Sequence, residues 1–164
     1  MTLTIRPAMP DDIDMIIGFI RALADYERLS HAVKADPATL AHYLFGPRPM
    51  AEVLMAESGG AAIGFALFFH NFSPFEGRPG LYLEELFVQP ESRGVGAGRA
   101  LLARLAQIAL ERGCARLEWS VLDWNAPAIA VYRAIGAQPM DEWTVQRLDG
   151  EALRALAATA AISV

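Results

Sequence analysis

The sequence predicts an α/β (α+β) fold, a mixed sheet with helices on both faces, on three observations. Short apolar segments bounded by Gly, Pro, Asn and Ser recur along the chain, two intervening stretches repeat their apolar residues at helical spacing, and one strand-like run enters a helix through a glycine-rich turn. Strands come first, then strand, helix, strand, helix and strand in alternation, an order that lays helices against a mixed sheet. At 164 residues, with no linker, internal repeat or low-complexity segment, the chain reads as one domain spanning 1–164.

Each element has its own signal. "LTIRPA" alternates apolar and polar residues as a strand, and Pro10 with Asp11 and Asp12 marks a helix start, acidic groups sitting at the positive end of the helix dipole. Ile13, Ile16, Ile17, Ile20 and Leu23 then form one apolar face through about Tyr26. A second helix is predicted from about Pro37 to Phe45, stopped by "GPRP". "AEVLMAE" and "AAIGFALFFH" flank "SGG" as a strand, tight turn and strand, and "LYLEELFV" follows the turn-rich "NFSPFEGRPG", so three strands should pair as a meander. Leu101, Leu102, Leu105, Ile108 and Ala109 make a helical stripe ending at Gly113. "ARLEWSVL" reads as a strand, "NAPAIAVYRAIGA" as a short helix, "EWTVQRL" as a final strand and the alanine-rich end as a terminal helix.

Composition narrows the function. With 54% apolar and 20% charged residues the chain is globular; its formal charge of -5 gives no general attraction to nucleic acid or an anionic membrane but tolerates a small cationic substrate. Cys114 is the sole cysteine, so no internal disulfide forms and a reducing compartment is the default. The N-terminus lacks a basic segment with an apolar signal core, and the apolar run around Ala61 to Phe69 falls short of the ~20 residues that span a bilayer, so a cytoplasmic protein is expected. His31, His42 and His70 are scattered without metal-ligand spacing, and no metal is expected.

The motif that asks for an explanation is "RGVGAGRA", with Gly94, Gly96 and Gly98 at alternate positions between an apolar run and an amphipathic one. A loop entering a helix N-terminus presents unpaired N–H groups and a positive dipole end, and glycine removes the side chains that would hold an anion away, so phosphate is the natural guest. No Lys-Ser/Thr follows Gly98 and the spacing is not G-x-G-x-x-G, which argues against nucleotide hydrolysis and hydride transfer. Glycines at such a turn also serve purely structural ends.

"ESRGVGAGRALL" resembles the R/Q-x-x-G-x-G/A pyrophosphate loop of the GCN5-related N-acetyltransferases (GNAT), with Arg93, Gly96 and Gly98 at the motif positions. "IRPAMPDDID", "LYLEELFVQP" and "WNAPAIAVYRAIGA" resemble that family's opening strand and helix, fourth strand and late asparagine–tyrosine–glycine segment; "ALADYERL", "YLEELFV", "VLDWN" and "YRAIGA" resemble its diamine and thialysine branch, which includes the spermidine/spermine enzymes. The resemblance implies a GNAT-type, mostly antiparallel sheet splayed between strands 4 and 5. It implies acetyl-coenzyme A as co-substrate, its pyrophosphate on Gly94, Val95, Gly96, Ala97, Gly98 and Arg99 and its pantetheine arm along the backbone of Leu86, Phe87 and Val88. A small-molecule amine acceptor and a homodimer are implied as well.

Acid–base chemistry follows from the acceptor. A primary alkylamine has a pKa near ~10.4, so a base must take its proton as it attacks. Glu84 and Glu85 are adjacent on a strand; neighbours point to opposite faces, and periodicity does not say which lines the cleft. The resemblance puts Glu84 at the amine and as the base, with Glu85 beside it. It also makes Tyr132 the general acid near the coenzyme sulfur, Asn125 a helix cap and pantetheine contact, and Tyr26, Glu27, Glu142 and Trp143 acceptor contacts. Where the polyamine enzymes carry an aspartate and a tryptophan before the fourth strand, this chain has Ser73 and Phe75 nearby, which favours a lysine-like amine such as thialysine over a long polycation. A non-catalytic acyl-coenzyme A sensor and a protein or peptide N-acetyltransferase remain as alternatives.

Overall fold

The computed structural model describes residues 2–160, in which the chain forms two units, Met1–Ser120 and Val121–Val164. The first contains β1 (Leu3–Pro7), α1 (Ile13–Tyr26), α2 (Pro37–Phe45), β2 (Glu52–Ser58), β3 (Ala61–Ser73), β4 (Arg78–Val88), α3 (Ala97–Glu111) and β5 (Leu117–Trp119). Its sheet runs β1-β2-β3-β4-β5, antiparallel from β1 to β4. The β4–β5 pair is parallel because α3 provides the crossover that returns the chain to the same end of the sheet. The predicted meander and helix positions are therefore present, α2 with the predicted bounds.

The apolar stripe of α1 fills one face of the sheet. Ile13, Ile16, Phe19 and Leu23 pack with Leu44 of α2 against Val53, Met55, Phe65 and Phe87. The Phe19 ring centroid lies 5.8 Å from those of both Phe65 and Phe87. Burying an aromatic or branched side chain of this size stabilises by roughly 1.5–3 kcal/mol, so this cluster ties α1 to the strands that carry the site. On the opposite face, α3 buries Leu101 and Leu105 completely, and its first turn lies beside Leu86 and Val88 of β4. Helices on both faces follow.

β1 is held by an ion-paired clip. The Arg6 guanidinium donates to both carboxylate oxygens of Asp12, at 2.7 and 2.9 Å, and through Nε to Glu57 at 2.8 Å. Asp12 also accepts the Met9 N–H at 2.7 Å, so one carboxylate fixes the entry to α1 and the strand before it. The Arg6 hydrogen bonds hold the Asp12 carboxyl below its ordinary pKa, with the Met9 N–H adding to the effect and burial opposing it.

In the second unit, α4 (Ala126–Ala134) starts at Asn125, whose side chain accepts the Ala128 N–H at 3.4 Å. It ends in a Schellman arrangement: the Ala137 N–H reaches the Tyr132 carbonyl, the Gly136 N–H reaches the Arg133 carbonyl, and Gly136 is left-handed at φ 89°. α5 (Gly150–Ala157) is the predicted terminal helix. The predicted final strand "EWTVQRL" is absent: residues 142–148 are irregular, with the Trp143 N–H donating to the Met140 carbonyl and the Gln146 side-chain amide to the Thr144 carbonyl. Alternating apolar residues describe a surface that would suit a sheet, but a strand exists only where a neighbour takes its backbone groups.

Asp12→Ala should lower unfolding stability at pH 7 by about 1–2 kcal/mol, through loss of a half-buried ion pair and a cap. Because the folded-state pKa of Asp12 lies below its unfolded value of about 3.9, this stabilisation is present above that pH and disappears as pH falls through the folded pKa. Chemical denaturation of both proteins at pH 7 and pH 3 should show the difference shrinking in acid.

Candidate functional site

The site is organised by an extra residue in β4. Leu67 of β3 pairs with Glu85 and the next residue, Phe68, pairs with Leu83, so Glu84 has no partner of its own and forms a β-bulge. The slip changes faces. Leu83 shares the face of Phe68, whereas Glu85 shares the face of Leu67, which belongs to the α1 side. Leu86 and Val88 then return to the α3 side, where a Cβ on Gly98 would meet them at 3.8 and 3.9 Å.

β4 also has an open edge. Its pairing with β5 covers Leu81, Tyr82 and Leu83; among the described residues no strand pairs with Glu84–Val88 on that side. Leu81 donates its N–H to the Arg116 carbonyl on the β5 side at 3.0 Å, while Gln89 donates to the Ile63 carbonyl on the β3 side at 2.8 Å. Strand amides alternate, so Phe87 and Glu85 turn their N–H groups to β3, and Leu86 and Val88 turn theirs to the side where β5 has diverged. This is the splay between strands 4 and 5.

The glycine loop follows directly. Pro90–Ser92 makes a 3-10 turn, Gly94 and Gly96 lie at φ 89° and 85°, and Gly96 is the N-cap of α3 with no side-chain cap. The first helical bond is from Ala100 to the Gly96 carbonyl at 2.9 Å, which leaves the N–H groups of Ala97, Gly98 and Arg99 without a helical acceptor. Gly96 is required by its left-handed backbone. Gly98 is not: its φ is ordinary, and a methyl group there would meet only normal van der Waals contacts. The bare backbone at Gly98 therefore suits an anion brought against the helix N-terminus, and the residues fit the pyrophosphate of acetyl-coenzyme A, with the β4 edge available to its amide-bearing arm.

Carboxylates gather on the α1 side of β4. Burial, then the negative charge of Glu27, then that of Glu84, pushes the Glu85 carboxyl up to about 7. Burial also raises Glu27, which follows the last residue of α1. Tyr26 ends that helix, and the Arg93 guanidinium stands over its ring, 5.1 Å from the centroid. Glu27, just after α1, and Glu84 lie near enough to act on the Glu85 charge, so negative charge concentrates where the end of α1 meets β4. It suits an ammonium group.

Of the residues implied by the resemblance, Tyr26, Glu27, Glu84 to Val88 and Arg93 to Arg99 all belong to the first unit. Asn125, Tyr132, Glu142 and Trp143 belong to the second; Asn125 caps α4 and Tyr132 lies two turns along it, and Glu142 and Trp143 lie in the turn after Met140. Ser73 does not line a cleft as a free hydroxyl: it is buried, and its Oγ accepts the Glu76 N–H across the β3–β4 turn at 3.3 Å. Phe75, at the tip of that turn, is 98% exposed. The Arg93–Tyr26 contact and the near-neutral pKa of Glu85 had no signal in the sequence, because both depend on which elements meet.

The acetyltransferase (GNAT) family model matches residues 17–137. The chain belongs to the GNAT family of acetyltransferases. Among curated proteins, this GNAT chain is 39% identical to a thialysine N-epsilon-acetyltransferase of Bos taurus, over 93% of the chain and 96% of that protein. It is 32% identical to an L-ornithine N5-acetyltransferase of Arabidopsis thaliana, over 93% and 86%. Among solved structures, an integron cassette protein from the mobile metagenome of V. cholerae superposes with a TM-score of 0.79 at 29% identity, over 97% of this chain and 99% of that one.

Gly98→Leu should leave the GNAT chain folded, with a melting temperature at or above that of the parent, while weakening coenzyme A binding by about tenfold or more, the loss of one charge-assisted hydrogen bond. Calorimetric titration would read this directly. An unchanged affinity in the folded variant would remove pyrophosphate from this helix end.

Proposed function

We propose that the protein is an acetyl-coenzyme A-dependent N-acetyltransferase that acetylates a primary amine of a small, lysine-like molecule by direct transfer within a ternary complex. The observation that carries this reading is one strand, β4, which offers backbone donors to an acyl carrier along its open edge and turns a carboxylate of near-neutral pKa to the other side. The relatives that act on thialysine and ornithine support an acceptor with a side-chain amine. The reading treats 1–164 as one acetyltransferase domain, working as a cytoplasmic homodimer as in the resembled branch.

When bound, acetyl-coenzyme A supplies the activated acetyl thioester; the rest is asked of the protein. The N–H groups of Gly94 to Arg99 hold its pyrophosphate, and those of Leu86 and Val88 hold its arm and stabilise charge on the acyl oxygen. Glu27 and Glu84 attract the cationic amine, with Tyr26 beside them. Glu85 takes the proton as nitrogen attacks, a task for which a carboxylate of pKa 4 is too weak a base and one near 7 is better matched. By the resemblance, return of a proton to the departing sulfur falls to Tyr132, orientation of the arm to Asn125, and further acceptor contacts to Glu142 and Trp143.

A thiol-release assay over a panel of amines tests the acceptor. Thialysine, lysine and ornithine should be acetylated with higher kcat/KM than spermidine or spermine; a kcat/KM that rises steadily toward spermine would make this a polyamine enzyme instead.

The base assignment gives a pH signature. Raised to about 7 in the folded protein, Glu85 is protonated and idle below that pH, so kcat/KM should climb through an inflection near 7 as it ionises. Glu85→Gln should remove that inflection and reduce kcat by about 10²–10⁴-fold, whereas Glu84→Gln should chiefly raise KM. If Glu84→Gln abolished the inflection and Glu85→Gln kept it, the roles of the two carboxylates would be exchanged.

A further inference from the structure

The Arg93 and Tyr26 side chains join the glycine loop to the C-terminal turn of α1. Arg93 follows the 3-10 turn that opens the loop, and its guanidinium lies over the ring of Tyr26. Tyr26 is followed by a strained turn. Arg28 is the one non-glycine residue with positive φ, 61°, among those described, and it takes the left-handed position of a Schellman motif that glycine ordinarily fills. The Leu29 N–H reaches the Ala24 carbonyl at 2.7 Å, the Arg28 N–H reaches Asp25 at 3.1 Å and the Glu27 N–H reaches Leu23 at 2.9 Å. A left-handed arginine is disfavoured relative to the right-handed region, so this turn persists with help from its surroundings. The turn positions Glu27, one of the carboxylates where the end of α1 meets β4. On the other side of the contact, Gly94 and Gly96 give the loop wide backbone freedom, which an anion seated on its N–H groups would restrict.

We propose that Arg93 is a positioning residue that couples the two substrate sites: ordering of the glycine loop by coenzyme A sets the Arg93 guanidinium on Tyr26, and this firms the α1 turn that carries Glu27 into the acceptor cleft. The inference rests on the reading of Gly94–Arg99 as the coenzyme loop. It makes binding of the coenzyme and the amine mutually favourable, since a coupling between two sites acts equally in both directions. A cation–π contact at a site as open as Tyr26, 40% exposed, sets the scale at about two- to fivefold.

Hydrogen exchange read by mass spectrometry on the peptide covering 24–30 tests this in the full chain, without knowledge of the natural amine. Saturating coenzyme A should slow exchange of the Glu27, Arg28 and Leu29 amides about two- to fivefold. Tyr26→Phe should keep the slowing and Tyr26→Leu should abolish it. Arg93→Gln, saturated with coenzyme A at whatever concentration it then needs, should also abolish it and provides the same comparison if the leucine variant misfolds. A purely structural role for the contact would accelerate exchange equally with and without coenzyme, and that result overturns the coupling. So does undiminished slowing in Tyr26→Leu or Arg93→Gln, or its absence in the parent protein with coenzyme bound. Failure of coenzyme A to bind the parent protein at all, measured separately by calorimetry, would instead sink the loop reading on which the coupling stands.

Discussion

The one-residue slip at Glu84 sets the arrangement of everything else along β4. In a regular strand Leu83 and Glu85 would share a face, and the carboxylate would be driven against the apolar side of α3, where an ionised group has no compensation. The bulge sends Glu85 to the α1 side, opposite Leu67, within reach of Glu27. It also restores Phe87 to the aromatic cluster with Phe19 and returns Leu86 and Val88 to the α3 face beside Gly98. A single extra residue thus serves core packing, the placement of Glu85 and the open edge at Leu86 and Val88 together.

The same strand sorts the site's electrostatics. At its C-terminal end the chain turns into the loop and the positive end of α3, which suits phosphate; on its α1 face three carboxylates accumulate, which suits an ammonium ion. In a chain of net charge -5 this separation places the attraction for each substrate locally. Burial of Glu85, with repulsion from Glu27 and Glu84, is a cost to folding, and because the Glu85 pKa is raised rather than lowered, that cost grows as pH rises from about 4.5 through 7. On the proposed base role, activity and stability respond to pH in opposite senses at this residue.

Much of this was legible in the residues, and the illegible parts share a cause. The helical stripe Ile13, Ile16, Ile17, Ile20, Leu23 and the run Leu101, Leu102, Leu105, Ile108, Ala109 state their periods locally, so α1 and α3 were readable; Gly94 and Gly96 announced a loop because left-handed backbone selects glycine. The choice between Glu84 and Glu85 was not readable, since strand periodicity assumes a regular pleat and the bulge breaks it. The segment 142–148 misled in the other direction: Trp143, Val145 and Leu148 give it a strand's composition, but pairing is a property of two segments, and one segment's sequence cannot supply it. Ser73 looked like an acceptor-loop residue until its hydroxyl was found occupied by the turn.

The alternation of β4 has a consequence for how such an enzyme diversifies. Leu81, Leu83 and Phe87 are core residues, Glu85 and the backbone of Leu86 and Val88 belong to the candidate site, and each is locked to its neighbours by the same register. The core positions of this strand cannot change without disturbing the fold. Evolvability is displaced to a segment that carries no core and adjoins the carboxylates, the left-handed turn after Tyr26. Substitution in that turn leaves the pairing of β4 and its bulge untouched.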